Sequence, residues 1–113
     1  MVGLERDIIK CTIRGLNRVV ILWLISRNPM SGYHVIKELE RLTGHKFHSG
    51  VVYPLLYEME ENNLITGKWS QKGRRKIKYY QLTKKGLKLL NFIKEFFKMP
   101  IKEILEDLIT EES

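Results

Sequence analysis

Apolar residues recur along this chain first at three- and four-residue steps, then at two, then at three and four again. Residues 6 to 27 place Ile9, Ile13, Leu16, Val20, Trp23 and Leu24 on one helical stripe. Val19, Ile21, Leu22 and Ile25 widen it until most of the circumference is apolar, so this helix needs several neighbours or a second subunit around it. Asn28 and Pro29 stop it. Ser31 caps a second helix that runs to about Leu42 with Val35, Ile36, Leu39 and Leu42 inward, and Thr43 and Gly44 end it. A short connection leads to Ser49, a cap for a third helix whose inward stripe is Val52, Leu55, Leu56 and Met59. Pro54 falls in or just past its first turn, where a missing backbone donor costs least. Asn62 and Asn63 tolerate the left-handed backbone that ends such a helix.

The period then changes to two. Leu64 to Ser70 and Lys76 to Leu82 are rich in strand formers, and Gln71 to Arg75, with Gly73, supplies the turn. On the second strand Tyr80 and Leu82 share one face while Ile77, Tyr79 and Gln81 share the other, so one face is expected on the helical core. Thr83 caps a last helix with two adjoining stripes, Leu87, Leu90, Ile93 and Phe97 on one and Leu89, Phe92 and Phe96 on the other. Pro100 kinks or breaks it after Met99, and Ile101, Ile104, Leu105, Leu108 and Ile109 form a further amphipathic set. The expected fold is mainly α with a small two-stranded β-wing. It divides into a winged helix-turn-helix over residues 1–83 and a C-terminal dimerisation helix over residues 84–113.

Composition adds the partner class. A chain of 113 residues with 43% hydrophobic content suits one compact domain, and a formal charge of +7 favours an acidic partner. The charge is unevenly placed: between Glu61 and Glu95 there are ten basic residues and no acid, whereas residues 103 to 113 hold five acids and no base. Cys11 is the only cysteine, which excludes an intramolecular disulfide and suits a reducing compartment. The start of the chain is too charged for a signal peptide, and its longest apolar run, Val19 to Ile25, is too short for a bilayer. The expectation is a soluble cytoplasmic protein with no membrane partner. No catalytic constellation, cofactor motif or strong metal pattern is present; His34, His45 and His48 lack the cysteine or acid spacing of a metal site.

The residues also say which end of the third helix could approach DNA. Glu58, Glu60 and Glu61 crowd its second half and would repel phosphate, so only the first half suits a groove. Lys46, His48, Ser49, Val51 and Tyr53 surround that end, where the helix dipole and free backbone donors favour phosphate. Val51 could meet a thymine methyl group and Tyr53 a phosphate, the competing reading being that Tyr53 packs in the core. Around the ribbon turn, Lys72, Arg74, Arg75, Lys76 and Lys78 have a density suited to phosphate contact, against which stands a plain solvated turn. One such module reads few base pairs. The surplus apolar surface of Leu16, Val20, Trp23, Leu87, Leu90, Phe92, Ile93, Phe96, Phe97, Ile104 and Leu108 is therefore assigned to a symmetric homodimer. A cavity in such a dimer could admit a hydrophobic small-molecule effector. The rival readings are a winged helix used for protein contact and one that binds RNA.

Five separated pieces carry a family likeness: PMSGYHVIKEL, SGVVYPLLYEME, Leu64-Ile65, Trp69 and GRRKIKYYQLTKKG. In this order and at these distances they resemble the signatures of the PadR family of transcriptional regulators, over most of residues 16 to 90 and more loosely the final helix. The resemblance implies a homodimeric, repressor-like regulator that binds double-stranded DNA at a pseudo-palindromic promoter site and releases it when an effector binds. It also implies a family tyrosine at Tyr53 in contact with DNA. The short C-terminal region is similar to the compact subgroup of the family. Asn63 stands where the family usually has glycine, and asparagine can serve the same left-handed position. The terminal-helix tryptophan with which multidrug-binding relatives stack flat drugs has no counterpart, since this helix offers only Phe92, Phe96 and Phe97.

Overall fold

Each helix end in the computed structural model can be traced to a residue that satisfies or redirects the backbone there. The structure describes residues 2–44, 46 and 49–111. α1 (Gly3–Arg27) stops at Asn28, whose backbone is extended, as the residue before a proline prefers. Strand β1 (Met30–Ser31) follows, and the Ser31 hydroxyl accepts from the His34 N–H to cap α2 (Gly32–Thr43). Gly44, at φ 74°, closes α2 by donating its N–H to the Glu40 carbonyl at 2.8 Å. α3 (Ser49–Glu61) has Ser49 as its first helical residue, one step inside the capping position expected for it. It ends through Asn63, which at φ 60° is the left-handed residue of a Schellman closure: Leu64 N–H donates to Met59 O and Asn63 N–H to Glu60 O.

β2 (Ile65–Lys72) and β3 (Arg75–Leu82) pair antiparallel from Ile65↔Leu82 to Lys72↔Arg75, a ribbon longer than the residue pattern marks out. Gly73, at φ 60°, takes the first of the two turn positions. The sheet has three strands in the order β1-β3-β2, because Met30 and Ser31 pair with Tyr80 and Tyr79. β1 adds a third strand beside the expected two-stranded wing; its two residues are too few to leave a periodic signal.

α4 (Lys84–Phe96) is capped by the Thr83 hydroxyl, which accepts from the Gly86 N–H and itself donates to the Asn63 carbonyl at 2.6 Å. One hydroxyl thus starts α4 and ties it to the end of α3. Gly86 lets them meet closely, since a Cβ there would lie 2.1 Å from the Leu64 carbonyl oxygen. After α4, Met99 is extended at φ −156° and ψ 126°, the conformation a following proline imposes, and α5 (Lys102–Thr110) sets off anew.

The core lies between the second half of α1, α2, α3, the inner face of the sheet and one side of α4, with Ile21, Leu24, Val35, Leu39, Leu56, Ile65 and Tyr80 at its centre. The third-helix stripe is buried as its spacing requires. Two stripes differ from expectation. Leu42, at the end of α2, is exposed, and Ile9, Ile13 and Leu16 are exposed because α1 buries only Ile21, Leu22, Leu24 and Ile25 within its own chain. No residue of α5 is buried.

Candidate nucleic-acid interface

Three elements converge beside the start of α3: the capped first turn of α2, α3 itself and the β2–β3 wing. Val51 is exposed, Tyr53 half-buried and Tyr57 exposed on α3. Tyr53 packs on one side and is open on the other. Its ring lies against Gly32, where an added Cβ would come within 2.4 Å of it, and it also lines an open cleft of about 700 Å3 between α2, α3 and the wing. The Tyr53 and Tyr57 rings stand 6.1 Å apart, tilted by 37°. Ser49 and Lys46 are exposed at the entrance to α3, while His48, with His45, lies outside the described residues.

Two of the three acids of α3, Glu58 and Glu60, are neutralised by ion pairs that sequence spacing does not reveal. Arg18 of α1 donates to Glu58 Oε2 at 2.6 Å, and Lys78 Nζ of β3 donates to Glu60 Oε1 at 2.8 Å. Glu60 also accepts from the Gly67 N–H at 3.0 Å, and a Cβ at Gly67 would push aside the ends of the Lys78 and Glu60 side chains that make this contact. The bond to Glu60 holds the Lys78 ammonium above the ordinary lysine value of 10.5. Burial pushes the Tyr80 phenol above its ordinary 10.0. The repulsion expected from Glu58 and Glu60 is therefore largely cancelled within the chain.

These pairs redraw the set of free cations. Lys72, Arg74, Arg75 and Lys76 are exposed at the wing tip, with the Lys72 ammonium over the Tyr79 ring at 5.6 Å. Lys78 leaves the set expected to grip phosphate: it is half-buried, bonded to Glu60, and faces the Trp69 and Tyr80 rings at 5.9 and 5.2 Å. Tyr33, read in the sequence only within a longer motif, and Trp69, singled out there on its own but given no site role, join the cleft, and Trp69 is 67% exposed on the wing. Their signal was an aromatic residue just after a helix cap and another on a strand facing a lysine.

The surface assigned to a second copy divides similarly. Leu16, Leu87, Phe92, Phe96, Phe97, Ile104 and Leu108 are exposed, and Val20, Trp23 and Ile93 are half-buried. Leu90 leaves this set, because at 1% exposure it belongs to the chain's own core. Val19, Val20, Trp23, Ile93 and Phe97 line a shallow, almost wholly apolar groove of about 300 Å3 between α1 and α4. Among the described residues no helix is long and apolar enough to cross a membrane.

Comparison with known proteins places this geometry. Residues 21–91 match the family model described as the transcriptional regulator PadR-like family. The chain is 36% identical over 84 residues to the transcriptional regulator YqjI of Escherichia coli K12, covering 73% of this chain but only 39% of that relative's length. Among solved structures, a PadR-like transcriptional regulator from Bacillus cereus superposes with a TM-score of 0.77 at 30% identity, over 88% of this chain and 97% of the other. A PadR family transcription regulator from Clostridium difficile R20291 gives 0.72 at 26% identity, over 82% and 97%.

Proposed function

We propose, for a chain that belongs to the PadR-like family of transcriptional regulators, that it binds duplex DNA sequence-specifically as a homodimer. In this reading the first half of α3 enters the major groove, with Val51 and Tyr53 toward bases and nearby phosphates. Lys72, Arg74, Arg75 and Lys76 hold the flanking backbone. The observation that carries the reading is that these four wing cations are exposed while Glu58 and Glu60 of α3 are held in pairs with Arg18 and Lys78. An exposed cationic tip beside a helix start is a surface suited to polyanion contact.

Two copies double the length of sequence read, and the exposed apolar faces of α1, α4 and α5 supply the joining surface. The groove between α1 and α4 opens onto that same surface, so a hydrophobic effector lodged there would alter how two copies sit, and with it the spacing of their α3 helices. Repression relieved by such an effector is the regulatory mode that follows.

Fluorescence anisotropy with duplexes from the chain's own upstream region, and with scrambled duplexes, across a salt series tests this. The upstream duplex should bind more tightly, and the Arg74→Ala/Arg75→Ala variant should lower the slope of log K against log salt by about two for each copy bound, near one per lost phosphate contact. Equal binding of upstream and scrambled duplexes would remove sequence-specific regulation. An unchanged slope would remove the wing from the interface.

A further inference from the structure

The outer edge of β3 is open where the cleft meets it. β1 covers only Tyr79 and Tyr80, because the chain turns away into α2 once Ser31 has capped that helix. In a hairpin with a two-residue turn, the closing pair exchanges both backbone hydrogen bonds, here Lys72 with Arg75. Odd-numbered residues of β3 therefore direct their N–H and C=O toward β2, as the Thr83 N–H does just beyond the strand in donating to Leu64 O. Even-numbered residues direct theirs outward, where Tyr80 meets Met30. Lys76 and Lys78 are the next outward pair positions, and among the described residues no strand lies beside them.

We propose that this edge is a strand-addition site for an extended acidic segment of a partner protein, which continues the line that β1 leaves after Ser31. The free edge forms one wall of the 700 Å3 cleft, and Gly32, Tyr33, Tyr53 and Tyr57 form the wall opposite. Alternate side chains of an added strand face opposite sides. Those on the inner side meet Tyr53, Tyr57 and Trp69, which suits aliphatic or aromatic residues; those on the outer side lie by Arg75, which suits Asp or Glu. Among the described residues no carboxylate side chain lines the cleft, so incoming acids on the outer side meet the charge of Arg75 unopposed.

The chemistry of the edge selects a peptide. It presents donors and acceptors in alternation, whereas a polynucleotide backbone offers acceptors to both. A second copy of this chain is disfavoured there, since edge-to-edge pairing would set lysines against lysines. Peptide recognition of this kind takes its affinity from main-chain bonds and its selectivity from alternate side-chain sites. Because Arg75 and Lys76 also belong to the proposed DNA grip, a bound segment would displace DNA from the wing; that consequence rests on the DNA reading, while the strand site does not.

The test uses the full chain and a short fluorescein-labelled peptide of alternating valine and glutamate with a central phenylalanine. Anisotropy should report saturable binding, and exchange of the Lys76 and Lys78 amides should slow in its presence. The same peptide N-methylated at the amides facing the edge should bind about tenfold more weakly, the loss expected for one or two backbone hydrogen bonds. A lysine-for-glutamate peptide should not bind. Lys76→Pro removes an outward N–H without breaking a β2–β3 bond and should match the methylated peptide's loss, whereas Lys76→Ala should keep most of the binding. Equal binding of methylated and parent peptides overturns strand addition, as does a single-stranded oligonucleotide that protects the two amides when the peptide does not. These measurements read the same whether or not duplex DNA binds, so failure of the DNA reading is separately visible.

Discussion

Lys78 shows how one contact reassigns a residue. By composition it is one more cation in a basic ribbon, yet Glu60, eighteen positions earlier, bonds it at 2.8 Å and removes it from the set facing outward. Its raised pKa means that the pair's contribution, about 1 kcal/mol for a partly exposed ion pair, is fully present below the lysine's ordinary 10.5 and is lost as pH climbs through the higher folded value. The raised Tyr80 phenol acts in the same direction from its ordinary 10.0. Urea unfolding measured from neutral to strongly alkaline pH should therefore show falling stability above pH 10, and Glu60→Gln should shrink that fall while lowering stability at neutrality. Gly86 makes a different demand, because the atom in the way of a side chain is backbone. Gly86→Ala should cost about 1–3 kcal/mol, as overpacking against an immovable neighbour does, read as a lower urea midpoint.

Among the elements, the helix ends were the most legible in the sequence. Ser31, Gly44, Asn63 and Thr83 act on backbone groups three to five residues away, so their roles are written locally. Asn63 in place of the family's glycine holds φ 60°, as the residue type allows. Asn63→Gly should leave the unfolding midpoint nearly unchanged, while Asn63→Val should cost about 1–2 kcal/mol because a β-branched side chain resists that conformation. β1 was illegible, since its partners lie about fifty residues further along and its length carries no period. The pairs that neutralise α3 were illegible for the same reason. Arg18 and Glu58 are forty residues apart, and nothing in either neighbourhood names the other. At the candidate site, then, the wing cations and Tyr53 could be read from residue types, but which charges stayed free required the fold.

At the scale of the molecule, the body is 56 × 32 × 25 Å and carries its cations on the wing and its unpartnered apolar surface on the first half of α1 and on α4 and α5. Residue patterning identified those stripes but could not say which neighbour covers them, because a helix buried by its own chain and one buried by another copy have the same period. Ile13 and Leu16 are not covered by their own chain, both being about half exposed and outside the core. Ile13→Glu/Leu16→Glu should leave the far-ultraviolet spectrum and the tertiary fold intact and shift the sedimentation coefficient from that of two chains to that of one. A wild-type chain that already sediments as a monomer at micromolar concentration would remove the dimer from the proposal.

The extended backbone at Met99 has a consequence for how such proteins diversify. A continuous helix carries its phase forward, so adding one residue rotates everything downstream by a fixed angle of about 100°. Here the phase is reset before α5 begins. An insertion in α4 carries the joint and α5 round together, whereas a change at the joint re-aims the Ile104 and Leu108 stripe alone while the tie at Thr83 keeps its place. In the proposed homodimer, changes at this joint would alter how far apart two copies stand, and so the length of DNA spacer tolerated, while the proposed base-facing surface of α3 stays as it is.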